Sequence, residues 1–145
     1  MIRHLSGIAE IVEDIEEAVR FYRDILSLKV KHEAGSGYAT VEMPGVLHLG
    51  IWDRKKAAEV IFGEASEFDR VPPGFMIGIE VDDVDDMTQK IVDRGWDVQQ
   101  PPRTEDWGQK TSRLYASSGS LIELTETPWA RKIRRDMETE SQDKV

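Results

Sequence analysis

Cysteine is absent from this chain of 145 residues. That removes disulfides, thiol nucleophiles and thiolate metal sites together, and it fits a reducing compartment, so a cytoplasmic location is expected. No apolar stretch approaches the roughly 20 residues of a membrane span. The first residues also lack the apolar segment of a signal peptide, so no membrane partner is expected. Basic residues are outnumbered, with 19 Lys and Arg against 28 Asp and Glu and a net charge of -9. Nucleic acid is bound through clustered Lys and Arg, so it is not an expected partner; the charge chiefly favours solubility. What remains is 39% apolar and 32% charged. That composition is ordinary for a globular protein and too rich in aliphatics for disorder. The length suits one domain or two closely packed halves.

What is present is a plan stated twice. Residues 14–30 (DIEEAVRFYRDILSLKV) and 83–98 (DVDDMTQKIVDRGWDV) each follow an alternating apolar run, open on Asp and lead into another strand. Asp14 and Asp83 lie 69 positions apart, so each copy fills about half the chain. A solenoid needs at least about three stacked units. Two copies instead suggest one pseudo-symmetric domain with a site where the copies meet.

Alternation predicts a first strand over residues 5–12, with Gly7, Ala9 and Ile11 on one face and Ile8 and Val12 on the other. Glu10 interrupts the second face. Asp14 is an N-cap with Glu17 completing a capping box. Ile15, Ala18, Val19, Tyr22, Ile25 and Leu26 follow at helical spacing as one apolar stripe. Strands are expected over 29–32, 38–43 and 46–52, giving β-α-β-β-β. Residues 53–73 bridge the copies, with a short helix over 54–62. The second copy repeats the order: a strand over 75–81, a helix capped by Asp83 with Val84, Met87, Ile91 and Val92 as its stripe, and Gly95 at its C-terminus, where positive φ is wanted. Strands over 96–99, 110–116 and 121–125 come next, with a loop over 101–108. The basic cluster Arg131, Lys132, Arg134 and Arg135 reads as part of a charged, solvated tail.

The stretch from Val12 to Leu26 with its Phe21-Tyr22 pair, Glu80 to Asp86, Trp107-Gly108-Gln109 and Leu121 to Leu124 together resemble the vicinal oxygen chelate superfamily. That group includes glyoxalase I, extradiol dioxygenases, and bleomycin and fosfomycin resistance proteins. The resemblance covers roughly residues 5–126 and implies an α+β fold. Two tandem βαβββ modules would form a curved mixed sheet around a shared cavity. The expected domain runs over 1–127, with module one at 1–53, the bridge at 54–73 and module two at 74–127, followed by a charged tail at 128–145. Homodimers are implied by the same resemblance.

Metal-using members of that group place one ligand on the first and last strand of each module. Carried over, the four positions are Gly7, His48, Met76 and Glu123. Glycine has no donor and a thioether is too soft for the hard or borderline divalent metals of this chemistry. His48 and Glu123 alone fall short of the three protein ligands of a catalytic zinc site. No cofactor is therefore expected, a divalent metal held by His48 and Glu123 being the alternative. Those two residues are also the candidate acid–base pair, since a facing carboxylate raises and orients a histidine. The bland reading is that they merely bond to each other across the modules. Arg103 and Arg113 are expected at the surface, pairing with an anionic substrate being the alternative.

The candidate cavity walls are Tyr38, Thr40, Trp52, Met76, Glu80 and Trp107, with Glu42 a further carboxylate. Such a wall suits a flat or amphipathic organic ligand, cationic if the carboxylates stay ionised. The leading expectation is a small-molecule-binding protein of the bleomycin-resistance type. The alternatives are a metal-dependent glyoxalase-like lyase or dioxygenase using His48 and Glu123, and a non-catalytic protein-interaction subunit.

Overall fold

The computed structural model describes residues 1–129; Arg131, Lys132, Arg134, Arg135 and most of the expected tail lie outside them. The first half runs β1 (Ile2–Val12), α1 (Ile15–Arg20), a π-helical turn (Phe21–Ile25), β2 (Val30–His32), β3 (Tyr38–Val41) and β4 (Leu49–Asp53). A bridge of α2 (Arg54–Phe62) and a 3₁₀ turn (Ala65–Arg70) comes between the halves. The second half runs β5 (Gly74–Val81), α3 (Val84–Asp93), β6 (Gln100–Thr104), β7 (Lys110–Tyr115) and β8 (Leu121–Glu126).

Among the described residues the strands form one curved eight-stranded mixed sheet in the order β2-β3-β4-β1-β5-β8-β7-β6. Each half is thus a βαβββ module, and the order reads as a palindrome about an antiparallel β1–β5 seam. Within each module the first and last strands run parallel, β1 with β4 and β5 with β8.

Both helices start where the sequence says they should. The Glu17 N–H donates to Asp14 Oδ1 at 3.1 Å and the Asp86 N–H to Asp83 Oδ1 at 3.0 Å. Each bond satisfies an N–H that has no partner within the helix and contributes about 1 kcal/mol. α1 lays Val19 over Ala39, Val41, Leu49 and Ile51, while α3 buries Val84 with Val81, Leu114 and Leu124. A third cluster joins Ala57, Ala58 and Ile61 of α2 to Ala9, Ile11, Met76 and Leu121. Each fully buried aliphatic side chain contributes roughly 1.5–3 kcal/mol. The bridge helix therefore fastens both modules rather than merely connecting them.

The strands expected over 38–43 and 46–52 are shorter, β3 ending at Val41 and β4 starting at Leu49, so His48 precedes its strand. Other features correct or complete the sequence reading. The stripe of the first helix ends at Tyr22, because the π turn inserts an extra residue and rotates the succeeding side chains off the core. Ile25 is 61% exposed as a result. Glu10, which interrupts an apolar strand face, accepts a 2.7 Å bond from the Tyr22 hydroxyl, so the break is a satisfied contact between β1 and the helical segment. Finally, the strand expected over 96–99 lies instead at Gln100–Thr104, inside the expected loop. Pro101 and Pro102 are tolerated there because β6 is an edge strand. Trp96 is held apart from it by a 2.8 Å bond from its indole N–H to the Tyr115 carbonyl.

Candidate functional site

The two modules enclose a cavity of about 490 Å³. Its floor is set by a line across the sheet. The His48 carbonyl accepts from the Ile8 N–H beside Gly7, Gly7 pairs with Gly78, Gly78 with Glu123, and Glu123 with Arg113. The two central members carry no side chain. With strands about 4.8 Å apart, three spacings put about 14 Å between the His48 and Glu123 backbones over a bare floor. Both glycines have steric reasons: a Cβ on Gly7 would lie 3.2 Å from the His48 ring, and one on Gly78 would press on Ser6 Oγ at 2.5 Å.

At one end, the Tyr38 hydroxyl lies 2.5 Å from His48 Nε2, with the two rings parallel to within 4° and their centroids 6.0 Å apart. Tyr38 reaches this position because Gly50 leaves the space; any Cβ on Gly50 would collide with its hydroxyl. Burial holds His48 below the ordinary histidine value, partly opposed by the charge of Glu123. Burial, helped by the same carboxylate, pushes the Tyr38 phenol up. At neutral pH both are therefore uncharged.

At the other end Glu123 is held by Arg113, which is fully buried. Its Nε and one terminal nitrogen both reach Glu123 Oε2 at 2.7 Å. Its other terminal nitrogen donates to Glu105 Oε1 at 2.8 Å and to Gln100 Oε1. Burial raises the Glu105 carboxyl, but hydrogen bonds from Arg113, Thr111 and Arg103 together hold it below the usual range. The guanidinium carbon also sits 5.7 Å from the Trp52 ring centre. Arg113 was expected at the surface; instead it is the hub of the second module's wall. The signal for it was in the hairpin: a turn centred on residue 118 sets Arg113 opposite Glu123.

Of the expected residues, Tyr38, His48, Trp52, Met76, Trp107 and Glu123 line the cavity. Trp107 sits at its rim, 47% exposed, with its indole N–H donating to Gln109 Oε1 at 3.0 Å. Gln109 in turn donates to Thr127 Oγ1 at 2.7 Å. Thr40 pairs with Gly50, and the Tyr38 ring over that glycine keeps it out of the wall. Glu80 is fully buried and accepts from Thr125 Oγ1 at 2.8 Å and the Thr127 N–H at 2.7 Å, bracing the end of β8. Glu42 is exposed outside the cavity. His48 and Glu123 do not bond to each other; each has another partner. Sequence reading also missed Lys56 and Val60, which α2 brings to the wall.

The strand register tests the metal corners. The repeat carries Ile8 onto Ile77, and these pair with Leu49 and Ile122 respectively. Glu123 therefore corresponds to Gly50 in the first module, and His48 to Leu121. The four corners are Gly7, Gly50, Met76 and Glu123, so His48 lies off the corner assigned to it. One oxygen of the single carboxylate among them already holds a guanidinium, and the Tyr38 phenol covers the Gly50 corner. Among the described residues no three His, Cys, Asp or Glu side chains gather as metal ligands. This donor set does not fit a tightly bound divalent cation.

An α+β chain folded as paired βαβββ modules, with a cavity between them, defines a recognisable class. Residues 5–128 match the family model of the glyoxalase-like domain, and the chain belongs to that family. Among solved structures it is similar to methylmalonyl-CoA epimerase from Mycobacterium tuberculosis, at 22% identity and a TM-score of 0.62 over 90% of this chain and 93% of that one. It is also similar to a glyoxalase/bleomycin resistance protein/dioxygenase superfamily member from Vibrio splendidus 12B01. That match has 15% identity and a TM-score of 0.56 over 88% of this chain and 100% of that one. At these identities the likeness is one of fold. No curated protein matches the chain.

Proposed function

We propose that this protein binds a flat, largely apolar organic molecule between its modules without the help of a metal ion. The observation that carries this is the cavity itself: about 490 Å³, floored by Gly7 and Gly78 and walled by Tyr38, Trp52, Met76 and Trp107. Volumes of this order suit small organic ligands, and aromatic walls with a few fixed polar groups are how such sites hold them. The occupied corner at Gly50 and the Arg113-held Glu123 argue against a chelated substrate. The cationic preference expected from sequence loses its support. Glu80 is consumed by β8, Glu42 lies outside, and Glu123 is paired with the buried Arg113. A neutral ligand matches this balance better.

A panel of neutral, cationic and anionic aromatic compounds, followed by tryptophan fluorescence and thermal shift, tests the reading. Saturable quenching with stabilisation by neutral members is expected, and Trp52→Leu should weaken it. Silence across the whole panel would end the proposal. Elemental analysis of protein purified without chelator should give well under one equivalent of Zn, Ni, Fe or Mn. Near-stoichiometric metal lost on His48→Ala would instead support a metal-dependent enzyme.

A further inference from the structure

The geometry points to a specific ligand class for this cavity: a neutral aromatic compound carrying a hydrogen-bond donor, such as a phenolic hydroxyl, at one end and an acceptor, such as a carbonyl or nitro oxygen, at the other. This rests on the cavity being the ligand site and adds which chemistry it selects.

The donor end is set by Glu123. Both Arg113 nitrogens that reach it converge on Oε2. Oε1 takes no hydrogen bond from any described residue, although the side chain is only 12% exposed and lines the cavity. A carboxylate oxygen so placed demands a donor, and a ligand hydroxyl supplies one in a charge-assisted bond. A second anion placed there would meet the carboxylate's own charge, while all three Arg113 nitrogens are already engaged by Glu123, Glu105 and Gln100.

The acceptor end is set by Tyr38 and His48. The 2.5 Å contact suits either direction; we assign the tautomer with the proton on His48 Nε2, which donates to the phenol oxygen and leaves the Tyr38 hydroxyl hydrogen for the cavity. Two donors in series polarise one another, so the relay is a better donor than an isolated phenol. Between the two ends lies the floor of Gly7 and Gly78, on which a ring can rest directly on the backbone. Trp52 closes one side, edge-on to Tyr38 at 6.4 Å.

The test uses the full chain and p-nitrophenol, whose ionised form is yellow and which ionises near neutral pH. At a pH where the free probe is half ionised, binding to wild-type protein should bleach the yellow band, because the site takes the protonated phenol. Glu123→Gln should abolish or invert the bleaching, since Arg113, left with Glu105 as its one carboxylate partner, then favours phenolate. Tyr38→Phe should keep the bleaching while weakening affinity roughly three- to tenfold, the worth of one neutral hydrogen bond. A thermal shift with the same probe reports binding independently of ionisation. A shift accompanied by a growing yellow band in the wild type would overturn the donor assignment and leave the binding site standing. A Tyr38→Phe variant with unchanged affinity would overturn the acceptor end. Neither shift nor colour change with p-nitrophenol or 4-hydroxybenzaldehyde would overturn the ligand class, and the wider panel of aromatic compounds then decides the site itself.

Discussion

Replacing Arg113 by Met should be among the most damaging single changes to this fold, and the damage should have an unusual pH dependence. The guanidinium is 1% exposed and faces Glu123 and Glu105, which are 12% and 8% exposed. Met fills much of the same space but leaves Glu123 without its counter-charge and Glu105 with only the partly exposed Arg103. Removing one partner of a buried ion pair typically costs about 3–5 kcal/mol, against about 0–1 for a surface pair. For 145 residues, at about 4 °C per kcal/mol, that is a fall in Tm of about 12–20 °C. In the wild type Glu105 lies below its ordinary value of 4.5. Its contribution is therefore complete above that value and fades as pH falls through the lowered one. Without Arg113, burial, the largest influence on Glu105, is opposed only by the bonds from Thr111 and Arg103, so that carboxyl rises from its wild-type position. Part of the Glu105 contribution is then lost at neutral pH, and the deficit relative to wild type should shrink as pH falls into the carboxylate range. Urea denaturation of variant and wild type side by side from pH 7 down to pH 4 reads both effects, and an added Glu123→Leu change should recover part of the loss. A loss under 1 kcal/mol at pH 7, or a deficit relative to wild type that grows on acidification, refutes the description of Arg113 as a buried hub.

Two more outcomes are expected at the other end of the cavity. By NMR, His48 should titrate below its ordinary value of 6.5, and Glu123→Gln should lower it further, because that carboxylate opposes the effect of burial; an upward move would contradict the assignment. Since the folded value lies below the unfolded one, His48 also subtracts stability as pH falls below about 6.5. Gly50→Ala should cost about 1–3 kcal/mol by pushing its methyl into the Tyr38 hydroxyl. In a Tyr38→Ala background the same change should be nearly neutral, and a persistent penalty there would show that the conflict lies elsewhere.

Local chemistry was legible in the sequence where it is decided locally. Asp14 and Asp83 fix two helix starts by bonds within one turn, so the residue types and their spacing announce them. The duplicated pattern then gave the modules and the facing rows that bring Tyr38, His48, Trp52, Met76 and Glu123 to one cavity. The features that could not be read depend on contacts distant in the chain. The π turn after Arg20 answers to packing on β4 rather than to propensity. Proline in β6 is excusable only once that strand is known to be an edge. Partner choice was the largest miss. His48 bonds Tyr38 because Gly50 makes room, and Glu123 bonds Arg113 because a tight hairpin aligns them; pairing the two by chemistry alone ignored nearer neighbours.

The palindromic sheet also bears on how the chain acquires its structure. β1 is made first yet lies at the centre, and its β5 partners stand between 63 and 79 residues away, from Ile11 with Gly74 to Ile2 with Val81. Closing such loops before any reward places folding on the slow side. Until the seam zips, each half presents a long naked strand to other molecules, an invitation to stick. Splitting the molecule at the bridge should therefore yield two fragments that clump alone and dissolve together.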